Sequence, residues 1–283
     1  MFLDRGLEYP VTDLLKGVIV VSANDACVAL AERICGSEEA FVARMNERAA
    51  SLNMKHTCFV NATGLPKEGG HSTAHDVALM LRELTKHEHY YDYSKIWLED
   101  YVHPDGRVTT LTNTNKFVRF YEECDGGKTG FTQEAKFCLA ASASRGDTKL
   151  ISVVIGAEDS KTRFAESKRL LSYGFANYIT DVIVKKGDAV FRCPVKEAKV
   201  DEIVCAAESD IVLLRRADGA SVEPDVETVF YDVKAPIKAG DPVGECTIRH
   251  GEKSSTVRLI ATENAEKATI GDIFRKIARQ CPS

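Results

Sequence analysis

Gly127-Lys128-Thr129-Gly130-Phe131-Thr132 sets a lysine and a hydroxyl between glycines, just before the first stretch that reads clearly as a strand. Glycine lets a ligand approach the backbone closely. Lys-Thr-Gly alone is a weak signal, arising by chance in roughly three chains in a hundred of this size. It is not a P-loop: the upstream glycine at the Walker spacing is missing, and Thr129 is followed by a strand where a phosphate site needs a helix N-terminus.

Working outward, residues 137–144 and 149–157 read as two strands joined by Arg145-Gly146-Asp147, and 164–179 returns to the helical period. Upstream, residues 1–86 are helical in pattern. A helix is predicted over Val11–Val21 with Leu14, Leu15, Val18 and Ile19 on one face, and a second over 26–34 capped by Asn24 or Asp25. Gly36 reads as a stop, Ser37 with Glu38 and Glu39 as a new start, and a further helix should follow Ser72 or Thr73. Residues 90–121 are aromatic and polar, predicting irregular chain with short strands. Beyond 185 the period becomes that of strands, at 189–195, 203–207, 211–216, 228–233, 244–249 and 256–262. Turns such as Lys186-Gly187-Asp188 and Ala239-Gly240-Asp241 separate them, the spacing of a small all-β sandwich. The expected domains are 1–183, 184–266 and a terminal segment 267–283. In that last segment Ile270, Ile273, Phe274 and Ile277 fall at i, i+3, i+4 and i+7 of a short basic amphipathic helix.

The chain has 283 residues, with 37 Lys plus Arg against 42 Asp plus Glu and a net charge of −5, which argues against a basic nucleic-acid binder. No apolar run approaches the roughly 18–20 residues a membrane-crossing helix needs. Nine cysteines occur without a C-x-x-C pair or finger spacing, so no disulfide framework is predicted. Cys27, Cys35, Cys138 and Cys205 read instead as buried thiols among apolar neighbours.

Ser22-Ala23-Asn24, taken alone, reads as a helix cap. Paired with Lys-Thr-Gly about a hundred residues later, it supplies two of the three motifs of the penicillin-interacting serine acyl transferases. The sequence resembles the low-molecular-mass penicillin-binding D-alanyl-D-alanine carboxypeptidases, peptidase family S11. The likeness runs through Ser22 to Ala31, Phe41 to Asn46, Thr57, Phe59, Asn61, Gly64-Leu65, His71-Ser72-Thr73-Ala74 and Asp76. It continues through 127–132, Arg163 to Leu171, Gly174-Phe175 and Ile237 to Gly244, nearly the whole chain.

That resemblance implies an α+β fold, a partial β-lactamase/transpeptidase-like domain of helices and antiparallel sheet followed by a small all-β sandwich. It implies removal of the terminal D-Ala from peptidoglycan stem peptides through a serine acyl-enzyme, capture of β-lactams, an extracytoplasmic location in the cell envelope, and no cofactor or metal. Carried over residue by residue, Ser22 would relay a proton and Asn24 orient the substrate amide. Lys128 would supply positive charge, and Thr129, beside Gly130, a hydroxyl near the substrate carboxylate. The Phe131 N–H would be an oxyanion donor and Arg163 would hold the terminal carboxylate.

One departure matters. The family's nucleophile lies in a Ser-x-x-Lys helix preceding Ser-x-Asn by several dozen residues, and no serine of this sequence has a lysine three places on. The expectation is an N-terminally truncated carboxypeptidase, inactive by itself, or a non-catalytic relative that binds peptidoglycan peptides or β-lactams without bonding to them. Loss of the nucleophile helix should expose apolar faces of Val11–Val21 and of 150–155, favouring instability or self-association.

Two rival features weigh less. His71-x-x-x-His75 has the spacing of a zinc helix but no glutamate between and no third ligand, and the caps put His71 before its helix. The terminal helix reads as a packing element or as a membrane-surface anchor.

Overall fold

A computed structural model describes residues 1, 3–4, 6–189, 191–219, 225–250, 253–273 and 275. The chain separates into two compact units, Met1–Ala176 and Asn177–Ser283.

The first unit begins with α1 (Val11–Val21), as the apolar period predicts. Its buried face is Leu14, Gly17 and Val20, while Val11 and Leu15 remain exposed, so the stripe is rotated from the expected one. The helix stops because Ser22 turns left-handed (φ 56°, ψ 46°) and the Ala23 N–H closes back on the Gly17 carbonyl at 3.1 Å. α2 (Asn24–Cys35) starts at once. Its cap position is Ala23, without a side-chain bond, and Asp25 accepts from the Leu3 and Ala26 N–H groups, at 2.9 Å each. Gly36 (φ 83°) ends α2, and the Ser37 hydroxyl caps α3 (Glu38–Ser51) by accepting from the Ala40 N–H. Thr73 caps α4 (Ala74–Leu84) in the same way through the Asp76 N–H. The buried Asp76 carboxylate in turn accepts from the His56 N–H and the Thr57 hydroxyl, both at 2.8 Å, clamping the long loop before α4.

A short α5 (Tyr91–Ser94) leads to the hairpin of β1 (Leu98–Val102) and β2 (Val108–Thr112), which packs Tyr101 and Leu111 on Val20 of α1. After α6 (Phe117–Phe120) comes an antiparallel sheet, β3 (Cys124–Thr132), β4 (Lys136–Arg145) and β5 (Thr148–Ala157), in that order. The predicted hairpin is therefore present. The Lys-Thr-Gly segment, however, lies inside β3, because ladder pairing with β4 overrides the low strand propensity of three glycines. The outer side of β5 has no partner strand among the described residues, and Ile155 on it is exposed. Leu139, Ala141 and Ala143 of β4 pack against Phe117, Tyr121 and Leu171, the last from α7 (Ser160–Asn177).

The helical reading through 179 is too long. β6 (Tyr178–Val184) replaces its end and pairs with β9 (Ile211–Arg216), since the β-branched run Ile179 to Val184 gains more from a ladder than from a helix. The other strands of the second unit are β7 (Phe191–Pro194), β8 (Glu202–Ala207), β10 (Asp225–Phe230), β11 (Pro242–His250) and β12 (Lys253–Ala261). They form one antiparallel sheet ordered β10-β11-β12-β8-β7. β9 packs across β11 and β12, and Ile203, Ile211, Val243, Ile248 and Leu259 form a continuous apolar core. Of the terminal helix, 270–273 is helical with Ile270 and Ile273 exposed, and Phe274 and Ile277 lie outside the described residues. No described helix is long and apolar enough to cross a membrane. The eight described cysteines are free, with Cys205 buried as expected and Cys27, Cys35 and Cys138 only half-buried; Cys281 lies outside the described residues.

Candidate active site

Two distant stretches meet in the first unit. The junction of α1 and α2 presents Ser22 at the left-handed cap, an uncommon conformation for a residue with a Cβ. Across from it, the Lys128 ammonium on β3 donates to Ser22 Oγ and, at 3.0 Å, to the Thr129 carbonyl. Desolvation is the largest influence on Lys128, pulling its pKa down to about 8; the Cys27 thiol on α2 acts in the opposite sense and the Arg163 guanidinium adds to the fall. Burial pushes the Cys27 thiol up, against the pull of Lys128. The hydroxyl, the ammonium and the thiol thus share one electrostatic environment.

The strand holding Lys128 is locally deformed. Pairing of β3 with β4 slips between Cys124 and Gly126, and Gly127 adopts φ 133° with its α-carbon so close to β4 that an added Cβ would lie 2.3 Å from the Ala140 carbonyl oxygen. The Gly127 N–H donates to the Tyr90 hydroxyl at 2.7 Å, and the Tyr90 ring covers Gly126. Burial drives the Tyr90 phenol up to about 12, so it stays neutral in that bond. The Thr129 hydroxyl donates to Thr114 Oγ1 at 2.7 Å. Tyr90 and Thr114 were not identified from sequence: they lie 37 and 15 residues from their partners, and neither sits in a recognisable motif.

Arg163, in the first turn of α7, is buried. Its Nη1 donates to the carbonyls of Gly130 (3.1 Å) and Cys138 (3.2 Å), its plane lies over the Phe137 and Phe164 rings, and its Nε has no acceptor among the described residues. Phe131 is exposed at the end of β3, with its ring 4.4 Å from that of Phe137. Asn24 is exposed in the first turn of α2, next to the Ser22 cap. Ser22, Lys128 and Thr129 are therefore joined through hydrogen bonds, and Arg163 reaches Gly130 beside them. His71 and His75 stay apart from this cleft in their contacts: His71 Nδ1 faces the Gly69 carbonyl at 2.8 Å, and exposed His75 faces Asp76.

Comparison with known proteins places the chain among related sequences and folds. A family model described as D-alanyl-D-alanine carboxypeptidase (peptidase S11) matches residues 1–159, and one described as penicillin-binding protein 5, C-terminal domain, matches 178–267. The D-alanyl-D-alanine carboxypeptidase DacF of Bacillus subtilis is 38% identical over 271 residues, covering 95% of this chain and 69% of that protein. DacC of Escherichia coli is 35% identical over 282 residues, covering 98% and 68%. Among solved structures, penicillin binding protein 5 from Haemophilus influenzae superposes with a TM-score of 0.65 at 30% identity, covering 94% of this chain and 78% of that one. A peptidoglycan synthesis regulatory factor (PBP3) from Streptococcus pneumoniae gives 0.72 at 27% identity, covering 91% and 78%.

Proposed function

Because the chain belongs to the D-alanyl-D-alanine carboxypeptidase family, peptidase S11, we propose that its Ser22–Lys128 cleft is the substrate-holding part of a serine acyl-transfer site in the cell envelope, binding peptidoglycan stem peptides ending in D-Ala-D-Ala, and β-lactams. The observation that carries this reading is the Lys128–Ser22 hydrogen bond, which spans 106 residues of sequence. An ammonium with a pKa of about 8, bonded to a hydroxyl, can hand a proton through that hydroxyl to a departing amine near neutral pH. Thr129 and Arg163 would hold the substrate's terminal carboxylate, which would satisfy the orphaned Arg163 Nε. Asn24 would orient the scissile amide, and the Phe131 N–H would stabilise the tetrahedral oxyanion.

These 283 residues contain no Ser-x-x-Lys. The chain by itself should therefore hold substrate without becoming acylated, and the alternative role of a non-catalytic binding relative rests on the same absence. Fluorescent penicillin followed by denaturing electrophoresis tests this: no labelled band is expected, and a band that survives denaturation overturns it. A diacylated L-Lys-D-Ala-D-Ala peptide should bind reversibly in equilibrium dialysis, about tenfold more weakly to Lys128→Ala or Arg163→Ala. No binding to the unaltered chain would remove the cleft reading altogether.

A further inference from the structure

The first unit carries a second hollow, of about 440 Å³, between α6 and the N-terminal half of α7. Phe117 lines it from the core, 5% exposed, with its ring 5.1 Å from that of Phe164. Phe120, by contrast, leaves 69% of its surface open to solvent. Lys116, Lys161 and Lys168 line it as well, together with Tyr121 and Ser160. Residues 161, 164 and 168 recur at i, i+3 and i+7 and so share one side of α7, while Arg163, Ser167 and Leu171 are the residues it buries. The Lys168 ammonium lies 5.8 Å from the centre of the Tyr121 ring.

None of these three lysines has a carboxylate within 4 Å among the described residues, which leaves their charge available to a ligand. Carboxylates do lie within electrostatic reach, but they are engaged elsewhere. Asp159, which Lys161 feels, accepts from the Thr162 N–H at 2.7 Å; Glu123, which Lys168 feels, is held by Arg145 at 2.7 Å. Three ammonium groups thus converge on one hollow, and Phe120 gives it an open ring face.

The hollow therefore offers an apolar ring surface and positive charge together, at a volume suited to a small ligand. A sugar ring bearing an acid group meets both: its C–H face lies on phenyl rings, and its carboxylate or phosphate takes lysines as point charges. We propose that the cleft between α6 and α7 binds an anionic saccharide. This site uses none of the residues of the Ser22–Lys128 cleft, and its occupancy does not depend on acyl transfer.

NMR titration of the ¹⁵N-labelled full chain tests it with N-acetylmuramic acid, N-acetylglucosamine 1-phosphate, neutral N-acetylglucosamine and inorganic phosphate. The acidic sugars are expected to move amide resonances of 116–121 and 160–168, the tighter of the two identifying a carboxylate or a phosphate source. The neutral sugar should bind about tenfold more weakly, as should either acidic sugar to Lys161→Ala/Lys168→Ala or to Phe120→Ala. Raising the salt concentration should weaken binding to the unaltered chain, a check that needs no variant. The proposal is overturned if the acidic sugars leave both segments unmoved or if the neutral sugar binds as well. It also fails if inorganic phosphate matches the acidic sugars while Phe120→Ala changes nothing, the behaviour of a bare cationic patch.

Discussion

The two units fill their interiors in different ways. Among the described residues, every buried polar or charged side chain lies in the first unit, from Asp76 to Ser167, and the interior of the second is hydrocarbon and thiol. In the second unit Ile203, Ile248 and Leu259 need only to fill space, and one continuous core results. The first unit has several smaller apolar clusters, and between them Asp76 and Asn115 accept from the backbone N–H groups of His56 and Phe117 while Asp125 accepts from the hydroxyls of Ser142 and Ser144. Burying such groups is costly unless every partner is in place. The unit that carries the cleft is held by direction, and the other by volume.

Removing a partner should expose that contrast most sharply. Asp125 accepts from Ser142 and, at 2.6 Å, from Ser144, with the Lys149 ammonium at 3.4 Å. Asp125→Ala is expected to destabilise the first unit by about 3–5 kcal/mol. The single tryptophan, Trp97, lies in that unit, so denaturant unfolding followed by its fluorescence reads the loss directly. A midpoint that stayed put would show the polar interior to be dispensable.

Leu259→Ala should remove about 3 kcal/mol from the second unit. The far-ultraviolet strand signal should shift while the Trp97 transition holds. If both moved together, the units would be unfolding as one and the contrast would lose its thermodynamic meaning.

The cleft itself supplies a smaller, proton-linked effect. Lys128 titrates near 8, below its ordinary value, so its charge is present at neutral pH and lost above 8. Affinity for a D-Ala-D-Ala carboxylate should fall by up to about tenfold per pH unit above 8, until the lysine no longer contributes. The sign for stability is opposite: between 8 and 10.5 the unfolded chain binds the extra proton, so this group's unfavourable contribution is relieved as pH rises through that window. Calorimetry across pH 7–9.5 checks the first statement, and an affinity flat above 8 would contradict it. Smallest of all, Ser37→Ala should cost about 1 kcal/mol through the lost α3 cap, measured by the same fluorescence midpoint.

Much of the helical layout was legible because its punctuation is local. Gly36, Ser37 and Thr73 act within a turn of their own positions, and they end or begin helices where the sequence says. The β5 and β9 segments were legible for a similar reason, as β-branched runs between turn residues. Position 128 was harder: three glycines argue against a strand, and only the ladder to β4 makes one. The boundary at Tyr178 was missed because β6 is a strand by virtue of a partner 38 residues away, Arg216, which no local period reports. Within the site, Ser22 and Lys128 were visible as motifs, while Tyr90 and Thr114 act through single hydroxyls whose partners only the folded chain brings near.

The left-handed turn at Ser22 sets two selective pressures against each other. Glycine would take φ 56° there without hindrance, and serine does so with a Cβ crowding its own backbone. In a mutant library screened for heat resistance alone, glycine should accumulate at this position. Screened for capture of an acyl peptide, the same library should hold on to the oxygen that glycine lacks.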